Sequence, residues 1–566
     1  MNSYETINDA LNQLCLEHEL PPTFTLDQPE DALHGDYATN IAFPLSKVLG
    51  KSPKETAETV VDSLRGELSE TVEKIEIAGP GFINFFLIDD IRTDEAEAVA
   101  VSDIMPEKGK GKVIVEYTDP NPFKLFHIGH LVPNAIGESV ARLYEAEGYD
   151  VSRVCYQGDV GMHVAKTLYA MRMKFANAPQ EDAILREKVA YLGAAYAYGN
   201  NALEMDETKK KEIVDLNKSI FARSDDEVNT MYDLGKKWSL DYFETIYAKL
   251  GTKFDHYIFE SEVGDDGVRI VKENLGKVFE ESDGAIVFKG EDVGLHTRVF
   301  INSQGLPTYE AKELGNTYKK EALVSGAVQS VVVTAKEIDE YFRVMKAVLQ
   351  KIDAPLSNRL LHVSHGMLRL PEGKMSSRTG NIIPAEELID MVSERIADRL
   401  EDMKAEAEDK ARLINDIAVG AIKFSILKSS PGKDMIFDFE KSLSFEGDSG
   451  PYLQYTHARL SALLDKAKDA GIDIESYLIS TPERELEQSI IGYMHVLEKA
   501  YKELGPHHIV SYLLSLTRAF NNMYGRQQIV SDDKEGSAYY VMLATATRNI
   551  LAHGLYTLGI VAPPRM

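Results

Sequence analysis

Cysteine is almost missing: Cys15 and Cys155 stand 140 positions apart in 566 residues. Two thiols so separated exclude a disulfide framework and cannot build a C-x-x-C zinc cluster, so neither structural zinc nor another resident metal is expected. No run of about 18 apolar residues occurs, which leaves no spanning helix and no membrane partner to expect. The start, Met1-Asn2-Ser3-Tyr4-Glu5, lacks the basic and apolar stretches of a secretion signal and the arginine-rich character of a transit peptide; a cytoplasmic location follows. Fixed-period repeats and low-complexity tracts are missing as well. Positive charge is scarce, with 62 Lys+Arg against 90 Asp+Glu and a net −28. That excludes an unselective polycation, yet net charge governs steering rather than local sites, so RNA binding through local patches stays open. From Gly450 to Met566, eleven Lys+Arg meet twelve Asp+Glu, so the acidic excess lies upstream.

What is present is an ordinary globular composition, 44% hydrophobic and 27% charged, at a length that predicts about three to five domains. Residues 1–95 read as a small α+β unit. Tyr4, Ile7, Leu11 and Leu14 follow helical spacing, and Pro53 opens a second helix bearing Ala57, Val60, Val61 and Leu64. Gly79-Pro80-Gly81 then turns a strand hairpin that ends in Phe82–Leu87. Residues 110–383 carry a β-α-β pattern: Val113–Val115, a helix from about His130 to Glu147, and Val151–Cys155. Such a unit implies a parallel sheet with a right-handed crossover. The sheet pattern returns at Val331–Val333 and Leu360–Val363, after a polar, helical insertion at about 165–295. A helical connector over 384–448 and an α-helical bundle over 449–566 complete the chain. The predicted architecture is α/β: a Rossmann-like doubly wound core with an insertion, a small leading α+β domain and an all-α tail.

The connection from the first core strand into its helix reads Asp119-Pro120-Asn121-Pro122-Phe123-Lys124-Leu125-Phe126-His127-Ile128-Gly129-His130. A helix start in this position binds phosphate through free backbone N–H groups and the positive dipole end. His127 and His130 can donate to phosphoryl oxygens, and Gly129 leaves room for a ligand against the backbone. No G-x-G-x-x-G or Walker lysine takes their place. About 245 residues later stands Gly373-Lys374-Met375-Ser376-Ser377-Arg378-Thr379-Gly380. A glycine-bounded loop with a lysine, two hydroxyls and an arginine can close over the β- and γ-phosphates and offset charge on a leaving pyrophosphate. Standing alone, each element has a plain alternative, a pair of capping histidines or a solvated basic turn.

Together, in this order and on these strands, the two elements resemble the HIGH and KMSKS signatures of class I aminoacyl-tRNA synthetases. The loop reads Lys-Met-Ser-Ser-Arg, without the second lysine, and either Lys124 or Arg378 is expected to supply the missing charge. Four further stretches resemble the arginyl-tRNA synthetases: Glu116–Asn121, Gly79–Asn84, Tyr452–Arg459 and the ending from Ala546 to Met566. The similarity spans nearly the whole chain, least of all the insertion. It implies ligation of L-arginine to tRNA(Arg) through an arginyl-adenylate, with ATP as the substrate and Mg²⁺ riding on it; a monomer is expected.

The resemblance also implies site residues. His127, His130 and Lys374 are the catalytic candidates, with Lys124 or Arg378 beside them. Gly129, Gly137, Gly366, Met367, Ser376 and Ser377 would border ATP. Glu116 and Asn121 would meet the α-amino and carboxylate groups of arginine, and Tyr309 and Glu313 its guanidinium. A carboxylate is the natural bidentate partner of that group, and the i,i+4 spacing gives Tyr309 and Glu313 one helix face. The family usually has aspartate where Glu313 stands, so a slightly recessed pocket is expected. For tRNA, the candidates are Asn84 and Phe86 on the leading unit and Tyr455 and Arg459 on the tail, where aromatics can stack bases and arginines can meet phosphates. The rivals are weaker. A cysteinyl synthetase would need zinc ligands, glutamyl and glutaminyl enzymes a basic pocket, and a nucleotidylyltransferase a much shorter chain. A tRNA-binding paralogue without catalysis would not need His127, His130 and Lys374.

Overall fold

Val113-Ile114-Val115 and Val331-Val332-Val333 are buried on both faces of a parallel sheet, the environment that continuous β-branched runs favour. The structure, a computed structural model, describes every residue except 1, 30, 175, 177, 370–382, 402, 404, 405, 475, 476 and 480. Its central elements, in chain order, are β1 (Lys112–Glu116), α1 (Ile128–Ala146), β2 (Asp150–Gln157), α2 (Asp226–Leu250), β3 (His256–Phe259) and α3 (Glu260–Glu273). They continue with α4 (Tyr309–Leu323), β4 (Ala327–Ala335), β5 (Leu360–His365), α5 (Ala407–Leu427) and α6 (Lys534–Thr557). The five strands run parallel in the order β5-β4-β1-β2-β3. Strand order reverses between β1 and β4, the point at whose carboxyl ends open parallel sheets place their ligands.

The insertion differs from its expected extent of about 165–295. Helices Leu185–Met205, Glu207–Ala222 and α2 do form a unit with its own core around Leu168, Leu192 and Ile213. Within that range, however, β3 completes the main sheet and α3 packs against α4. A four-residue edge strand between Asp255 and Glu260 is too short to show alternation. A small antiparallel sheet, Glu280–Ser282, Ala285–Phe288 and Arg298–Ile301, follows it.

The leading unit is a four-stranded sheet with Phe82–Leu87 inside it. Helices Ser3–Glu17 and Pro53–Glu67 each start on a capping box, Asn2 with Glu5 and Ser52 with Glu55. After Pro384 the described chain is helical apart from Met435–Ile436, which pairs with Leu368–Arg369.

Two polar junctions join the units. Arg92, 1% exposed, donates to Glu487 at 3.0 Å and to Asp89, with Asp36 3.7 Å away. Thr93 and Tyr539 donate to the other oxygen of Glu487, both at 2.8 Å. At the second junction α1 meets the tail: Ser139 donates to the Thr557 carbonyl at 2.7 Å and Arg142 to that of Tyr556 at 3.0 Å. Lys423 of α5, buried, donates to the carbonyls of Leu250 and Gly559, both at 2.7 Å.

Candidate active site

His127 is the N-cap of α1. Its Nδ1 accepts from the N–H of Gly129 at 3.1 Å, and Nδ1 of His130 accepts from the N–H of His127 at 3.1 Å. Two imidazoles thus form a reciprocal capping box in which side-chain oxygens would ordinarily serve. With both Nδ1 atoms accepting, each neutral ring carries its proton on Nε2 and is left as a donor. The rings stack at 4.0 Å. Burial, then the Lys124 ammonium, holds His127 below the ordinary imidazole range; burial, then His127, holds His130 well below it. Gly129 is exposed, and a Cβ there would stand 2.8 Å from the His127 ring. Glycine therefore permits the cap as well as an open surface.

The loop leading into this cap is backbone-strained. Thr118, Asp119 and Phe123 have φ of 80°, 44° and 69°, and a β-branched residue such as Thr118 rarely occupies that region. Asn134 holds Thr118 by its hydroxyl at 3.1 Å, and Asp119 accepts from the N–H of Tyr156 at 2.8 Å. Such strain persists only where surrounding contacts over-determine it, and it clusters at functional sites. Asn121 accepts from the N–H of Gly158 at 3.1 Å. Lys124, half-buried, has its ammonium 5.6 Å from the Tyr196 ring centroid; burial, then Lys166, lowers its pKa.

A buried cluster of carboxylates lies at the end of the strand that feeds this helix. Glu116 ends β1 and is 2% exposed. Lys320 of α4 stands 2.6 Å from it, and Asn316 donates to it at 3.0 Å. Glu313, 5% exposed, accepts from Asn316 at 3.4 Å and lies 3.9 Å from Lys320. Burial, then Glu116, raises Glu313 to about 8 and Asp119 well above the carboxylate range. For Lys320, burial is outweighed by Glu116 and Glu313, and its pKa rises. Tyr309, at the start of α4, is 65% exposed, so the helix dips from an open end carrying Tyr309 to a covered one carrying Glu313. Lys312 lies 4.4 Å from the Tyr309 ring centroid and is paired with buried Glu260. This pocket can hold a cation by fork, ring face and charge together.

Helix crossing brings these groups together. A Cβ on Gly267 of α3 would fall 1.9 Å from the Ala311 carbonyl oxygen, and one on Gly315 of α4 would fall 2.2 Å from that of Val263. Backbone thus meets backbone where α3 and α4 cross, and Glu260 approaches Lys312 as a result.

The remaining predicted residues are scattered more widely. Lys374, Ser376, Ser377 and Arg378 lie outside the described residues. The chain that follows them is fixed at the cap: Ile128 donates to the Ile383 carbonyl and Ala385 to that of Phe126, both at 3.0 Å. Gly137 packs beneath Tyr117, whose Cγ a Cβ would approach to 2.2 Å, and Gly366 packs on the backbone of Lys433. Met367 is exposed. Asn84 is buried inside its strand, whereas Phe86 keeps surface beneath Lys74. Tyr455 and Arg459 are exposed one turn apart, Arg459 lying 4.2 Å from the Tyr524 ring centroid.

Sequence reasoning missed Lys320, Asn316, Glu260 and Tyr156. For the first two a signal existed: Glu313, Asn316 and Lys320 fall at i, i+3 and i+7, one helix face. Glu260 and Tyr156 reach the pocket only through tertiary packing. Among the described residues no group of three or more His, Cys, Asp or Glu could hold a metal ion.

A family model for tRNA synthetases class I (R), catalytic domain, matches residues 98–439. The arginyl tRNA synthetase N-terminal domain matches residues 2–87, and the DALR anticodon binding domain residues 453–566. The chain is 30% identical to an arginine–tRNA ligase of Flavobacterium psychrophilum, covering 93% of this chain and 94% of that one. It is 28% identical to one from Clostridium botulinum, covering 99% and 97%. The arginyl-tRNA synthetase structure from Thermus thermophilus has a similar fold, with a TM-score of 0.83 at 24% identity over 99% of this chain and 100% of that one.

Proposed function

The chain belongs to the class I arginyl-tRNA synthetases, and on that premise we propose how its residues ligate L-arginine to tRNA(Arg) for translation. The observation that carries the proposal is a helix mouth bearing two neutral imidazoles and a buried carboxylate cluster at the end of β1, the strand whose connection leads into that same helix. The pocket receives the guanidinium, with Glu313 and Tyr309 as its partners, while Glu116 and Asn121 hold the α-amino and carboxylate groups. The arginine carboxylate then attacks the α-phosphate of ATP, giving arginyl-adenylate and pyrophosphate. Negative charge grows on the phosphoryl oxygens. His127 and His130 donate to them from Nε2, which costs no reorganisation because the backbone already orients both rings. Lys124 adds charge from the approach loop, and Lys374 and Arg378 act from the segment after β5. Gly129, Met367, Ser376 and Ser377 border the nucleotide in this reading, whereas Gly137 and Gly366, covered by Tyr117 and the Lys433 backbone, serve packing instead, and Mg²⁺ arrives on the ATP as part of the substrate.

In the second displacement a terminal ribose hydroxyl of the tRNA attacks the adenylate carbonyl, and AMP leaves. Neither step forms a covalent bond to the enzyme, so positioning and electrostatics supply the acceleration. Tyr455 and Arg459 meet the anticodon region and Phe86 the body of the tRNA, whereas Asn84 is buried in its strand and supports that surface from within. A cytoplasmic monomer is the working form in this reading. ATP–pyrophosphate exchange, run with each of the twenty amino acids with and without total tRNA, tests the proposal. Exchange supported by arginine alone among them is expected; exchange with another amino acid would overturn the specificity and leave the fold standing.

A further inference from the structure

Tyr156 belongs to no motif, yet its position on β2 is distinctive. Val154 of β2 is the register partner of Glu116 on β1. In-register neighbours share a face, and side chains two residues apart share one too, so Tyr156 lies on the Glu116 side, one step nearer the carboxyl end of the sheet. Its ring packs against the cluster of Ile114, Val154, Ile258 and Val263, beneath α3 and α4. Its hydroxyl is buried and has no hydrogen-bond partner among the described residues. Burial, then the charges of Glu260 and Glu313, keeps the phenol protonated far above its ordinary range. A second orphan sits on the same carboxylates. The Asn316 amide nitrogen is given to Glu116 and Glu313, and its Oδ1 is left buried without a partner.

Buried polar atoms seldom stay unpaired, and each exception calls for an explanation. Amid carboxylates, an oxygen that still needs a partner is suited to a ligand rich in donors. A guanidinium has five N–H groups in a plane, and a fork to one carboxylate uses two of them. Three remain. We propose that Tyr156 is a specificity-determining residue for arginine, its hydroxyl accepting a guanidinium N–H that the carboxylate fork leaves over. This rests on the arginine-ligase reading and deepens it: the pocket then measures the breadth of the cationic group as well as its charge. A lysine ammonium radiates its three donors from one atom, and the carboxylates take them all before the hydroxyl is reached.

Tyr156→Phe removes the oxygen and keeps the ring packing. Aminoacylation kinetics with saturating ATP and tRNA would give kcat and KM for arginine, and L-lysine would serve as a competitor whose inhibition constant is read alongside. The expected result is an arginine KM raised roughly tenfold, with kcat within about threefold and the lysine constant within about twofold. An unchanged arginine KM would overturn the proposal. Equal weakening of arginine and lysine would overturn it too, since that is what a merely structural tyrosine produces. A wild-type enzyme without arginine-dependent activity would instead bring down the ligase reading itself, and is told apart because it needs no variant.

Discussion

Glu116 and Glu313 share the single ammonium of Lys320, and the substrate must bring the next cation. With Glu313 raised to about 8 by burial and by Glu116, much of it is protonated near neutrality. A guanidinium binds the ionised form, so its entry lowers that pKa and expels a proton. The sign follows: arginine binds more tightly as pH rises towards about 8, and the gain flattens above it. KM for arginine measured from pH 6.5 to 8.5 is expected to fall roughly twentyfold in the wild type. In Glu313→Gln it should be higher throughout and nearly flat. The histidines were legible in the sequence because a helix cap is a local device written in four consecutive residues. Tyr309 and Glu313 were legible as a shared face, but not the slope of that face into the protein, which leaves one open and the other covered. Tyr156 and Glu260 could not be read at all, since only the meeting of β2, α3 and α4 gives them their neighbours.

The crossing of α3 and α4 depends on glycine where backbone meets backbone. Gly315→Ala would press a methyl to within 2.2 Å of the Val263 carbonyl oxygen, and the two helices must separate. Overpacking of this kind costs about 1–3 kcal/mol. Because Glu260 leaves α3 and Lys312 and Glu313 leave α4, the variant should lose arginine affinity along with stability. A lowered thermal midpoint accompanied by a raised arginine KM, with the ATP KM little changed, is the expected pattern. The β-α-β unit was readable from periodicity and from Gly148 as a stop, because α1 is 19 residues long with a continuous apolar face. β3 escaped because a four-residue strand carries no period, and the expected insertion swallowed it. The leading unit's short strands Leu26–Asp27 and Tyr37–Thr39 escaped for the same reason.

Docking of the three units was the least legible part, since it rests on contacts between residues far apart in the chain, such as Arg92 with Glu487, 395 positions on. No local pattern encodes such a pair. Arg92→Met would strand the buried carboxylate of Glu487 with only the hydroxyls of Thr93 and Tyr539, at a cost of about 3–5 kcal/mol. The leading unit should then melt as a separate transition in calorimetry, and tRNA affinity should drop while the KM values for arginine and ATP hold. Arg92→Lys should recover part of both. The seat of α1 on Thr557 and Tyr556 bears on how the molecule comes into being. A ribosome finishes the catalytic sheet more than 150 codons before it makes those two carbonyls. Until they emerge, the far half of the helix that opens the phosphate site is held to the sheet by Arg153 through Glu138 and Glu145 but lacks its seat on the tail. A message cut short anywhere in that interval is therefore expected to yield a polypeptide with an under-supported phosphate site, not a fully competent activating enzyme that merely has no means of reading its tRNA.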